Sequence, residues 1–297
     1  MVRGWAQHPG DRHHGAHGDL VSRALDVRVG ELLDFSQNIN PLGAPRSALE
    51  AARRALSEDS GRYPDLEYTG LRKALAAYLG VGAGMVVPTN GGAEALFLAA
   101  RAAATGGRAL VLEPTFSEYA AAARASGMEP VRKVARRREE GFGWDPTSYR
   151  DLEGVSVVFL CNPNNPTGNS LGRDEVLEVA ARVQEVGAVL VVDEAFADFV
   201  PEISLTDMVD RGLWVARSFT KFFAIPGLRL GCLVCDDAAR VQALQPSWPV
   251  NAVAAAAGIA AAAGISLSSL PPSASWAIFT AAAATPGSDD NVVTTCR

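Results

Sequence analysis

The 297-residue sequence predicts an α/β fold in which a mostly parallel sheet is flanked by helices. Two observations carry this expectation. Apolar runs rich in Val and Leu, at 108–113, 155–161, 188–193, 213–218 and 228–235, are continuous rather than alternating, as strands buried on both faces are. Between them, 94–104, 117–126 and 173–186 have helical length and period, so strand and helix alternate as βαβ units require. Ligands of such sheets bind beyond the carboxyl ends of the strands.

Taken in order, residues 1–43, with Pro9, Gly10, all four histidines and little periodicity, read as an arm that needs something to pack on. Residues 44–264 read as one large domain. Within it Asn90-Gly91-Gly92-Ala93-Glu94 makes a turn into a helix starting near Ala93. Arg136-Arg137-Arg138, followed at once by Glu139-Glu140 and a Gly-Phe-Gly, reads as a solvated turn between strands. The Ala-rich stretch 252–263, broken by Gly258, reads as a packed helix. Residues 265–297, dominated by Ser, Pro and Ala, read as an irregular, poorly ordered tail.

Composition narrows the function. An apolar fraction of 48% suits a large core, and a formal charge of −6 argues against nucleic acid as a partner, because backbone phosphates demand clustered Lys and Arg. No apolar stretch reaches the roughly 20 residues of a membrane-spanning helix. The start, Met-Val-Arg-Gly-Trp, lacks a secretory apolar core, and four cysteines make no disulfide framework, so a cytoplasmic protein is expected. Cys232 and Cys235 form a CxxC, but strand periodicity sends them to opposite faces, which favours buried cysteines over a redox or zinc pair. A metal site of His8, His13, His14 and His17 is the weaker rival to a plain arm, since no carboxylate supports it.

Reactive side chains fall at the predicted strand ends. Asp193 terminates one strand, Asn165 follows another, and Lys221 follows a third that ends near Ser218. A lysine flanked by Phe219, Phe222, Phe223 and Ile225 is desolvated, which lowers its pKa and frees its amine to attack an aldehyde. Asp193 is placed to accept a hydrogen bond from a protonated pyridine nitrogen; capping of the following turn is the alternative. The helix start at Gly92, Ala93 and Glu94, with the Ser218 hydroxyl and the Arg229 guanidinium, suits a phosphate dianion. Together these are the groups that hold pyridoxal 5'-phosphate and use it as an electron sink.

The order Asn-Pro-Leu-Gly43, Arg-Tyr-Pro-Asp65, Pro-Thr-Phe-Ser-Glu-Tyr119, Asn-Pro-Asn-Asn-Pro-Thr-Gly168, Asp-Glu-Ala-Phe196 and Ser-Phe-Thr-Lys221 resembles the fold-type I pyridoxal-phosphate enzymes, over roughly residues 14 to 264. Asp-Phe-Ser-Gln-Asn-Ile-Asn-Pro-Leu-Gly43, Lys-Phe-Phe-Ala-Ile-Pro-Gly-Leu-Arg-Leu-Gly231 and Trp-Pro-Val-Asn-Ala252 are most similar to the threonine-phosphate decarboxylase group of cobalamin biosynthesis, a relative of the histidinol-phosphate aminotransferases. The resemblance implies that Lys221 is catalytic, that Asn165 bonds the cofactor's phenolic oxygen and that Phe116 stacks on its ring. It implies that Tyr63 reaches the cofactor phosphate of a neighbouring subunit in a homodimer. It implies that His17, Asn38 and Asn40 help to hold the phosphate of a phosphorylated amino acid. Phe196 stands where many aminotransferases have a tyrosine, a departure shared with the decarboxylases. The expected reaction is decarboxylation of L-threonine O-3-phosphate, with a histidinol-phosphate type transamination as one alternative and a cofactor-binding remnant of little activity as another. The remnant reading arises because relatives continue into a small domain bearing substrate-binding arginines, whereas 266–297 contain only Arg297, so that domain is expected to be missing or altered.

Overall fold

The computed structural model describes residues 18–134, 136–138, 141–143 and 148–264. The elements are α1 (Gly18–Leu25), α2 (Arg46–Glu58), α3 (Thr69–Leu79), β1 (Val86–Thr89), α4 (Gly91–Ala103), β2 (Arg108–Glu113), α5 (Glu118–Ala125), β3 (Glu129–Val134), β4 (Arg136–Arg138), β5 (Gly141–Gly143), β6 (Val155–Cys161), α6 (Arg173–Glu185), β7 (Val189–Asp193), β8 (Leu213–Ser218), α7 (Phe219–Phe222), β9 (Gly231–Val234), α8 (Ala238–Gln242) and α9 (Ala252–Gly264). Seven strands form one sheet in the order β1-β9-β8-β7-β6-β2-β3. The pairs from β8 through β7, β6 and β2 to β3 are parallel, and β9 runs antiparallel to both β8 and β1.

Both faces of this sheet are covered, which is why its strands read as continuous apolar runs. Leu190 and Val192 of β7, with Leu213 and Val215 of β8, pack with α3, α6 and α9. Val191, Trp214 and Ala216, one residue out of phase, pack with α4, α5 and α8 on the other side. Cys232 and Cys235 divide between these two cores as free, buried thiols, as their spacing predicts. In α9, a Cβ on Gly258 would collide with the Leu230 side chain, so the glycine that interrupts the alanine run lets this helix lie close on the core.

Some expectations need correction. The last strand starts at Gly231 rather than 228, because Arg229 sits at φ +62°, in the left-handed region where an extended chain cannot continue. The triple-arginine run is itself strand β4, paired antiparallel with β5, and residues 139–140 lie outside the described residues. The arm carries a helix, α1, among its described residues. Strands β1 and β3 have no counterpart among the predicted strands. Each contains a proline, Pro88 or Pro130, tolerated because both lie at edges of the sheet where a backbone N–H is free of the ladder. The tail at 265–297 lies outside the described residues.

Candidate functional site

The loops following β6, β7 and β8 meet at the carboxyl edge of the sheet. Asp193 ends β7 beside Cys161 at the end of β6 and Ala216 of β8. Its carboxylate is buried and held on both oxygens: Oδ1 accepts the N–H of Ala195 at 3.0 Å, and Oδ2 accepts the hydroxyl of Tyr119 at 2.8 Å. Burial pushes the Asp193 carboxyl up to about 6, against the pull of those two donors. Glu194, next along, points to the opposite face, as strand alternation predicts.

Lys221 lies in the single turn of α7 and is partly buried. Loss of solvent lowers its pKa from the usual lysine value, the positive charge of Arg229 lowers it further, and Asp193 works in the other direction. Both partners therefore stand within electrostatic reach of the amine, and a larger share of it is neutral than at a free surface lysine. The carbonyls at the end of so short a helix have no partners within it. Asn40 of the arm supplies some: its backbone N–H donates to the Lys221 carbonyl at 3.1 Å and its Nδ2 donates to the Phe222 carbonyl at 2.9 Å. Its Oδ1 accepts from Leu42 N at 3.0 Å, so this side chain is largely occupied in clamping the arm to the lysine's helix.

Next to the lysine is a cradle for an anion. Helix α4 begins at Gly91, in the left-handed region at φ +79°, where a side chain would collide with the guanidinium of Arg229. A Cβ on Gly92 would stand 3.0 Å from Cβ and 3.6 Å from Oγ of Ser218. The amino end of a 13-residue helix, a hydroxyl and a guanidinium therefore converge, which suits a phosphate dianion. Arg229 is held there in a backbone conformation costing a non-glycine residue about 1–2 kcal/mol. The helix begins two residues earlier than expected. The Glu94 carboxylate accepts the N–H of Asn90, so what Glu94 and Ala93 offer an anion is their position in the first turn.

The remaining predicted residues are placed as follows. Asn165 is half-buried after β6, its N–H donating to Cys161 Sγ at 3.4 Å. Phe116 is half-buried and meets Tyr119 edge-on, with ring centroids 5.8 Å apart. Phe196 is buried. Tyr63 is 79% exposed and stacks on Trp248 with centroids 4.4 Å apart. Asn38 is half-buried in the arm, and His17, with His8, His13 and His14, lies outside the described residues. Among the described residues no cluster of three or more His, Cys, Asp or Glu could hold a metal ion, and no helix is long and apolar enough to cross a membrane.

Sequence reasoning missed two groups. Tyr119 closes the motif Pro-Thr-Phe-Ser-Glu-Tyr119, whose spacing alone gives it no partner. On the sheet face opposite Asp193 lies a sealed ion network, in which Arg217 Nη1 pairs with Glu194 Oε2 at 2.7 Å and Arg217 Nη2 with Asp198 Oδ1. Tyr78 donates to Asp198 Oδ1 at 2.9 Å, and Ser204 Oγ and the Leu205 N–H donate to Glu194 at 2.7 and 2.6 Å. An arginine four residues before the lysine and acids one and five residues after Asp193 were the available signal.

Residues 30–284 match the family model "Aminotransferase class I and II". The chain is 41% identical over 258 residues to the threonine-phosphate decarboxylase of Salmonella typhimurium, covering 82% of this chain and 69% of that protein. It is 34% identical over 254 residues to the adenosylcobalamin biosynthesis bifunctional protein CobDQ of Leptospira interrogans, covering 82% of this chain and 28% of that protein. The crystal structure of L-threonine-O-3-phosphate decarboxylase from Porphyromonas gingivalis superposes with a TM-score of 0.70 at 27% identity, over 80% of this chain and 71% of the other.

Proposed function

Because the chain belongs to the aminotransferase class I and II family, we propose that it is a pyridoxal 5'-phosphate enzyme that decarboxylates L-threonine O-3-phosphate, giving (R)-1-aminopropan-2-yl phosphate and carbon dioxide for cobalamin biosynthesis. One observation carries this reading. In a chain 41% identical to a threonine-phosphate decarboxylase, a desolvated lysine, a buried carboxylate and an anion cradle converge at one sheet edge.

The donor set fits the cofactor group by group. Gly92, Ala93, Ser218 and Arg229 would hold its phosphate, and Asp193 would accept from its protonated ring nitrogen. Asn165 would bond its phenolic oxygen and Phe116 would cover a ring face. When bound, the cofactor supplies the electron sink for charge released at the substrate's α-carbon. Lys221 would supply the amine that attaches the cofactor, and its Nζ, with a lowered pKa, would deliver a proton to the carbon that loses carbon dioxide. The buried Asp193 carboxylate would hold the ring nitrogen in its charged form, which Tyr119 and the Ala195 N–H would favour by stabilising the anion.

His17 and Asn38 would contact the substrate phosphate, with Asn40 contributing mainly through the clamp on α7. The enzyme would act as a homodimer in the cytoplasm, with Tyr63 of the partner subunit reaching the phosphate; the exposure of this ring on the single chain is consistent with that role. Sedimentation that finds only monomer at catalytic concentrations contradicts the dimer.

Decarboxylation is tested by supplying L-threonine O-3-phosphate and pyridoxal 5'-phosphate and measuring carbon dioxide. Glutamate formed from histidinol phosphate and 2-oxoglutarate, without carbon dioxide from threonine phosphate, replaces this reading with transamination.

A further inference from the structure

Tyr119 touches two of the groups assigned to the cofactor. Its ring meets Phe116 edge-on at 5.8 Å, and its hydroxyl donates to Asp193 Oδ2 at 2.8 Å. Phe116 is assigned to the ring face and Asp193 to the ring nitrogen, so one side chain braces the two groups that define where a pyridine ring would lie. Packing alone does not require a tyrosine here. The ring is fully buried and stacks on Phe159 with centroids 5.2 Å apart and planes 12° from parallel, a contact phenylalanine would make equally well. A buried hydroxyl is unfavourable unless it is hydrogen-bonded, and Asp193 is the acceptor it is given.

Resting on the cofactor reading above, we propose that Tyr119 is a positioning residue of the site: its phenol orients the Asp193 carboxylate and holds it ionised toward the ring nitrogen of pyridoxal 5'-phosphate. Two fixed donors, Tyr119 and the Ala195 N–H, set the plane of the carboxylate and leave each oxygen further lone pairs for a third. The groups around Asp193 oppose one another. Burial and the negative charge of Glu194, the next residue, disfavour the ionised form, and Tyr119, the Ala195 N–H and Arg217 of β8 favour it. Cys161 of β6 is a neutral thiol, pushed up to about 12 by burial, and Lys221 of α7 lies within electrostatic reach. Removing the phenolic donor tips this balance toward the protonated acid.

The test is titration of pyridoxal 5'-phosphate into the apo-forms of the wild-type chain, Tyr119→Phe, Asp193→Asn and the double variant, across pH, with thermal unfolding of each apo-protein. For Tyr119→Phe we expect cofactor affinity to fall about tenfold to a hundredfold, the loss of one hydrogen bond to a charged group. The pH below which binding is lost should move upward, whereas a merely structural role would lower the unfolding temperature without moving that pH. In the Asp193→Asn background the same change should have little further effect. Unchanged affinity and pH midpoint in Tyr119→Phe, or an equal loss with and without Asp193, overturns the proposal. It leaves the cofactor reading intact if wild type still carries a borohydride-fixed pyridoxyl group on Lys221. A wild-type chain that binds no pyridoxal 5'-phosphate overturns both.

Discussion

On one face of the sheet the ends of β7 and β8 present Asp193 and Ser218; on the other, Glu194 and Arg217. Residues adjacent in sequence at these strand ends thus face opposite surroundings. On the Glu194 face, charged groups are paired with one another inside the protein. Arg217 is shared by two buried carboxylates, which in turn accept from Tyr78, Ser204 and the Leu205 backbone. On the Asp193 face, charge is left partly uncompensated. Asp193 has neutral donors, and Lys221 sits between a cation that lowers its pKa and an anion that raises it. The difference shows how a rigid sheet edge can keep poised groups on one side: the ion network on the reverse ties together the residues immediately flanking the reactive ones.

This contrast can be tested in order of expected effect. Lys221→Ala should reduce decarboxylation about ten-thousandfold, the upper range for a lost acid–base group, read as carbon dioxide release at saturating substrate. Arg217→Met leaves two carboxylates buried without a counter-ion and should cost about 3–5 kcal/mol of stability in denaturant unfolding. Replacing Arg217, Glu194 and Asp198 together by neutral groups should recover much of that loss, and failure to recover it means that shape rather than charge matters there. Asp193→Asn should weaken cofactor binding by about 1.5–3 kcal/mol, with little change in apo-protein stability.

Acid should act in the same direction as that substitution. The carboxyl of Asp193 titrates near 6, and its protonated form no longer favours a charged ring nitrogen, so cofactor affinity should fall as pH drops through that value and be restored above it. Isothermal titration across that range reads the midpoint directly. The smallest expected effect is Asn40→Ala, which removes one hydrogen bond to the helix carrying Lys221 and should cost about 1 kcal/mol of stability.

Much of this was legible in the sequence, for a definite reason. A parallel sheet covered on both sides demands unbroken apolar strands, and a site at its carboxyl edge demands polar residues directly after them, so Asp193, Asn165 and Lys221 announced themselves by position. The edge strands were not legible, because a strand with one partner tolerates Pro88 or Pro130 and, in β3, exposed residues at Glu129, Arg132 and Val134. The start of β9 was misplaced because Leu228 and Leu230 are apolar for packing around a left-handed Arg229 rather than for a ladder. Tyr119 and Arg217 were passed over because their significance lies in partners far away in sequence. Asp193 is 74 residues from Tyr119, a pairing that local periodicity cannot report.

The tie between Asn40 and Phe222 spans 182 positions, as does the pair formed by the Tyr68 hydroxyl with both backbone groups of Val250. Strand β1 likewise has β9 as its sheet neighbour, the last strand among the described residues. During synthesis from the amino end, nearly the whole domain must emerge before the lysine's helix acquires its outer clamp, and closing such long loops is entropically unfavourable until the contacts at both ends form. The corner that carries Lys221 therefore depends on contacts that close late in the synthesis of the described residues.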